Sequence, residues 1–144
     1  MRRVVLDTNV ILDCWVFDDP GARSLKAALA DKLAVAVCSA ETDAELDDVL
    51  ARSRFGLAAA ARRALLDQWQ ALATRVEVAT AAPIRCADPD DQKFLDLALA
   101  SGAHALFTKD KALLATATHA QRHGLIVSPP HAAGSVLFLE DDVA

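Results

Sequence analysis

The feature that most constrains this chain is a series of short, uninterrupted apolar runs separated by stretches with helical periodicity. Val4-Val5-Leu6, Leu33 to Cys38, Ala103 to Phe107 and Leu125 to Val127 carry almost no polar alternation. A strand with one wet face alternates. A strand covered on both faces does not, and such strands belong to central parallel sheets. Between the runs lie helix-compatible stretches: Thr8 to Val16, Ala22 to Lys32, Ser39 to about Arg52, Ala58 to Ala73, Pro89 to Ser101 and Asp110 to about Ala120. Arg75 to Ala79 alternates and adds a further predicted strand. The boundaries have local causes. Asp18-Asp19-Pro20-Gly21 is a turn, Asp88 and Pro89 form a helix start, and Gly102 is a helix stop. The predicted class is α/β: a central parallel sheet between two layers of helices, in one domain of 144 residues.

Open parallel sheets carry their sites at the carboxyl ends of the strands. Four acids fall at that edge. Asp7 ends the first run, Glu45 lies early in the helix after the second, Asp91 opens a helix, and Asp110 follows the fourth strand. Converging carboxylates repel, and the usual remedy is a divalent cation with oxygen ligands. That points to metal-assisted hydrolysis of a phosphodiester. Each acid also has a purely structural role open to it. Asp7 and Asp110 are suitable N-caps, and Glu45 taken alone is an ordinary surface glutamate. Helical phase at about 100° per residue sets Asp91 on one face with Phe94, Leu95 and Ala98. It puts Glu45 at the border of the buried face, turns Asp96 and Glu41 away from the cluster, and leaves Asp43 near the buried side without a role.

Bulk properties narrow the class further. The net charge is −5, which argues against a protein that coats nucleic acid, though not against a nuclease with an acidic metal pocket and a local basic rim. Arg52, Arg54, Arg62 and Arg63 are the candidates for that rim; solvated helix ends are the alternative. Three widely spaced cysteines read as apolar core residues of a reduced cytoplasmic protein. His119 and His123 lack a third ligand. No apolar stretch approaches the ~18 residues of a membrane helix, and no secretion signal is expected.

Taken together, these pieces resemble the PIN-domain family. The matching segments are Val4-Val5-Leu6-Asp7-Thr8-Asn9-Val10, Ser39 to Leu46 with Glu45, Asp88-Pro89-Asp90-Asp91 through Leu99, and Thr108-Lys109-Asp110 with Leu113-Leu114. Within the family the chain is most similar to VapC-like ribonucleases, the toxins of bacterial toxin–antitoxin pairs. The resemblance implies a three-layer α/β/α sandwich over residues 1–130, with 131–144 as a C-terminal tail. It implies a Mg²⁺- or Mn²⁺-dependent endoribonuclease that leaves a 5′-phosphate and a 3′-hydroxyl. Asp7, Glu45, Asp91 and Asp110 match the family's acidic positions, with Asp7, Asp91 and Asp110 as metal ligands. Asn9 and Thr108 match its supporting polar positions. Expected partners are an RNA substrate, a small antitoxin and a second copy of the chain, with no membrane. An antitoxin groove or dimer face is conceivable on the helix bearing Leu65, Leu66, Trp69 and Leu72, where ordinary core packing is the favoured role.

Departures from the family pattern are Asp43, where an apolar residue is common, and Lys109, where glycine or arginine is usual. The alternative function is a non-catalytic PIN-like module that binds a small protein or RNA. A phosphatase of the haloacid-dehalogenase type needs a second aspartate two residues after Asp7, where Asn9 stands. A receiver-like domain would lack Glu45.

Overall fold

The computed structural model describes residues 1–52 and 55–138. Strands β1 (Arg2–Leu6), β2 (Ala34–Cys38), β3 (Ala73–Arg75), β4 (Ala105–Phe107) and β5 (Ile126–Ser128) form one sheet in the order β3-β2-β1-β4-β5. Every neighbouring pair is parallel. The apolar runs therefore became buried strands, as their lack of alternation predicts.

Because side chains alternate across a strand, each run feeds two cores. Val4, Leu6, Ala36, Cys38, Ala105 and Phe107 face one cluster, which is completed by α1 (Thr8–Trp15), α2 (Arg23–Ala30), α3 (Ala40–Leu50) and α4 (Ala59–Leu72). Val5, Val37, Leu106 and Val127 face the other, which is completed by α5 (Gln92–Ser101), α6 (Lys111–Leu114) and α7 (Ala117–Gln121). This is the three-layer sandwich.

Sequence order and sheet order diverge at β1. The chain builds outward through β2 to β3, then crosses to the other side of β1 to lay down β4. The carboxyl ends of β1 and β4 thus flank the topological switch point, where a crevice opens in open α/β sheets.

Two elements differ from the sequence expectation. The third strand starts at Ala73, directly from α4, and ends at Arg75. Its register against Ala36–Cys38 sets these limits: the last rung is Val76 N–H to the Cys38 carbonyl at 2.8 Å. Val76 and Val78 then leave the sheet and pack over the second core, so the alternation reflects packing at its margin. The helix expected from Asp110 to Ala120 is broken into α6 and α7. Thr116 Oγ1 donates to the Leu113 carbonyl at 2.6 Å at the break. Gly102 does end α5, in the left-handed conformation (φ +66°) that favours glycine.

The last described helix, α8 (Ala133–Phe138), packs on this chain's own core. Ala133 and Leu137 are buried in the first cluster. Arg2 Nη1 donates to the Leu137 carbonyl at 2.8 Å, and His104 Nε2 lies 3.0 Å from the Val136 carbonyl. The acidic stretch Glu140-Asp141-Asp142 lies outside the described residues. All three cysteines are buried and free. Among the described residues no helix is long and apolar enough to cross a membrane.

If α8 belongs to the folding unit, Leu137→Ala lowers unfolding free energy by about 2–5 kcal/mol, the usual cost of a leucine cavity. Urea denaturation with an unchanged slope measures it. A loss below ~0.5 kcal/mol, typical of a surface change, would show that α8 adds nothing to the core.

Candidate active site

Asp7, Glu45, Asp91 and Asp110 come together in one cleft of about 200 Å³. Thr8, Asn9, Val49, Arg52 and Phe94 complete its wall. The four acids arrive from four separate segments, so the tertiary fold alone assembles them.

Asp7 is the first residue beyond β1 and is 4% exposed. Its backbone N–H donates to the Phe107 carbonyl at 3.1 Å, continuing the β1–β4 ladder by one bond. Its side chain caps α1, with Val10 N–H donating to Oδ1 at 2.9 Å. The other oxygen, Oδ2, accepts from the Thr108 hydroxyl. Capping and site membership are thus not alternatives here, because one carboxylate does both. Burial pushes the Asp7 carboxyl above its usual range. The Thr108 and Val10 hydrogen bonds oppose that shift, while Asp110 and Glu45 add to it.

Asp110 repeats the arrangement beyond β4. Its side chain accepts from Leu113 N–H at 3.0 Å and caps α6. Its own N–H donates to Thr108 Oγ1 at 3.0 Å. Thr108, fully buried, therefore links both strand-end aspartates through one hydroxyl.

Asp91 closes a short 3₁₀ turn, Pro89–Asp91, at the entrance to α5. Asp88 caps that turn through the Asp90 N–H at 3.0 Å, and Lys93 Nζ donates to the Asp90 carbonyl at 2.5 Å. Those contacts leave Asp91 to face the cleft. Burial, with the nearby charges of Asp110 and Asp88, pushes its carboxyl up to about 7.

Glu45 rises from α3, whose start is fixed by a reciprocal cap between Ser39 and Thr42. Thr8 donates its hydroxyl to Glu45 Oε2, and Lys93 Nζ stands 2.9 Å from Oε1. Neither partner was evident from sequence. Lys93 follows Asp91 by two residues, about 200° around a helix, so periodicity gave no reason to join them. Its partner belongs to another helix.

The remaining acids are accounted for. Asp43 is a structural bracket: Trp69 Nε1 donates to Oδ1 at 3.2 Å and Arg75 Nη2 pairs with Oδ2 at 2.9 Å, joining α3 to α4 and β3. Asp96 accepts from Ala82 N–H at 2.8 Å and Gln92 Nε2 at 3.0 Å, away from the cluster. Glu41 is exposed and lines a different cleft.

Of the arginines considered for a basic rim, Arg52 lines the cleft. Arg62 lies 3.8 Å from Asp47, and Arg63 is engaged along its own helix by Asp67 at 2.6 Å. Arg54 lies outside the described residues. Lys109, the departure beside Asp110, pairs with the buried Asp13 at 2.6 Å. Leu66 and Trp69 of α4 are buried in the core, and the crevice beside them holds about 10 Å³. Leu65 and Leu72 of the same helix are half-buried.

The donor set is all oxygen, which suits a hard divalent cation. Two of the carboxyls are raised partly by their acidic neighbours, so a cation would relieve a real repulsion. Among the described residues, no three His, Cys, Asp or Glu side chains already stand in a metal-holding arrangement. The chemistry fits an ion. Closing a coordination shell would require side-chain adjustment.

No curated protein matches the sequence. Among solved structures, a chain of VapBC2 from Rickettsia felis, bound to a DNA fragment from their promoter, has the same fold. It matches with a TM-score of 0.60 and 16% identity, covering 87% of this chain and 96% of that one. The family model described as PIN domain matches residues 3–112, from β1 into α6, and takes in all four acids. With most of its length so matched, the chain belongs to the PIN-domain family.

Proposed function

We propose that this PIN domain is a metal-dependent endoribonuclease, the VapC-like toxin of a type II toxin–antitoxin pair. The observation that carries the reading is the convergence of Asp7, Glu45, Asp91 and Asp110 at the switch point of a parallel sheet. Family membership supports it, since PIN domains in general use divalent metal ions. The fold shared with a VapBC2 chain supports the toxin assignment and a small antitoxin as partner.

Asp7, Asp91 and Asp110 would hold Mg²⁺ or Mn²⁺. Such an ion, when bound, supplies a water of lowered pKa and positive charge for the phosphate. The chain's own residues do the rest. Thr108 fixes the rotation of the Asp7 carboxylate and, through its contact with the Asp110 backbone, the spacing of the two strand ends. Thr8 and Lys93 hold Glu45, which suits it to orient the attacking water rather than to move freely. Arg52 provides a phosphate contact at the rim. Val49 and Phe94 form the apolar part of the wall and limit water there. The competing reading, a non-catalytic module, keeps the cleft but predicts no turnover.

Asp7→Asn abolishes Mn²⁺-dependent cleavage of RNA by the pure protein. Thr108→Val, which removes only the supporting hydroxyl, lowers metal affinity or rate by roughly 10–100-fold. Gel assays of a structured RNA, with circular dichroism as the folding control, measure both. Full activity in Asp7→Asn sinks the assignment.

Asp91 gives a second expected outcome. Burial and acidic neighbours push its carboxyl up to about 7, above the ordinary aspartate value of 3.8, so the folded state holds its proton more tightly than the unfolded state. That contribution is fully present below the unfolded pKa and is lost as pH rises through about 7. In metal-free protein, Asp91→Asn should therefore gain thermal stability over wild type progressively as pH rises from acid to slightly alkaline. Added Mg²⁺ should narrow the gap at the alkaline end. A difference in Tm that stays flat with pH contradicts the assignment.

A further inference from the structure

A second cleft, of about 520 Å³, opens beside the catalytic one. It is lined by Asn9, Asp13, Phe17, Lys109, Asp110 and Lys111. Asn9 and Asp110 line both clefts, so the two are adjacent. The catalytic cleft is dominated by carboxylates. This one brings an aromatic ring and two lysines.

Phe17 is 57% exposed. Among the described residues the other strongly exposed large apolar side chains, Met1 and Leu33, are aliphatic. The Phe17 ring is propped by Phe55, with centroids 6.0 Å apart and planes tilted by 45°. A ring held at its side and left open to water on a cleft wall is a platform for another flat group. The lysines are not equivalent. Lys109 is committed to Asp13 at 2.6 Å and lies 3.8 Å from Asp19. Lys111 is exposed and takes part in no ion pair found among the described residues.

We propose that this second cleft is a nucleotide subsite for single-stranded RNA, in which Phe17 stacks on a base and Lys111 contacts a backbone phosphate. The inference rests on the nuclease reading and adds to it the residues that would hold a nucleotide beside the reacting phosphate. An aromatic face next to a free cation is the combination that binds unpaired strands: every base has a face to stack, and the cation follows the backbone. In a duplex the bases are already stacked, so Phe17 would have nothing to receive. The wall shared through Asn9 and Asp110 would place the stacked nucleotide beside the scissile phosphate. A peptide could also meet an exposed phenylalanine, but would gain from its apolar surface rather than its flat face. That difference makes the proposal testable.

The test uses the full chain and a short fluorescent single-stranded RNA, with Ca²⁺ in place of Mg²⁺ so that binding is read without turnover. Phe17→Leu and Lys111→Ala should each weaken binding about tenfold, and Phe17→Trp should restore it, because stacking needs an aromatic ring. In Mg²⁺ the Phe17→Leu loss should fall on KM for RNA rather than on kcat. Wild-type binding by Phe17→Leu would overturn the subsite. Hydrolysis of bis(p-nitrophenyl) phosphate by the wild-type protein reports separately on the nuclease reading. Hydrolysis of that base-free diester with unaltered RNA binding in both variants overturns the subsite alone. No hydrolysis and no RNA binding by the wild type overturns both.

Discussion

The structure depends on a carboxylate kept at the end of a buried strand. Asp7 is almost wholly removed from water, which is costly unless its oxygens are satisfied. Two neutral donors satisfy them: the first turn of α1 on one side and the Thr108 hydroxyl on the other. The same contacts tie β1 to α1 and to the loop after β4. Thr108 also receives the Asp110 backbone N–H, so the second strand-end acid is positioned by the first. Geometry that could have been only a pair of helix caps thereby brings two carboxylates to one cleft. Burial first, and then repulsion from acidic neighbours, raises the carboxyl pKa values of Asp7 and Asp91.

The nearby ammonium groups pair with other acids. Lys93 stands against Glu45 and Lys109 against Asp13, two acids of helices on the sheet's first face. No such pair is found on Asp7, Asp91 or Asp110 among the described residues. The division of labour proposed for the acids follows from this. The three without an ammonium partner are suited to hold a cation, and the one already paired is suited to orient water. It also reconciles an overall charge of −5 with the proposed polyanionic substrate, because the positive groups proposed to meet it are few and local: Arg52 on one side of the four-acid cleft and Lys111 in the cleft beside it.

Much of this was legible in the chain. Unalternating runs such as Val4-Val5-Leu6 report burial on both faces, and that pattern specifies a parallel sheet whose strand ends hold the site. The phase of α5 correctly separated Asp91 from Asp96. What was not legible depended on partners distant in sequence. Asp43 looked like a misplaced carboxylate until Trp69 and Arg75 were brought to it. Lys93 lies on the wrong phase to be linked with Asp91, and only the approach of α3 gives it Glu45. The strand expected at Arg75 to Ala79 had the right alternation, yet the register with β2 ends pairing at its first residues.

The central claim is that the four-carboxylate cleft is a cation site on which RNA cleavage depends. Calorimetric titration of Mn²⁺ into the protein at slightly alkaline pH, beside RNA cleavage over the same Mn²⁺ range, tests it most directly. The account predicts saturable binding that tracks the onset of cleavage, with both lost when Asp7 and Asp110 are changed together to asparagine in a protein that remains folded. RNA cleavage that persists in excess EDTA, or Mn²⁺ binding that survives the double substitution, would contradict it.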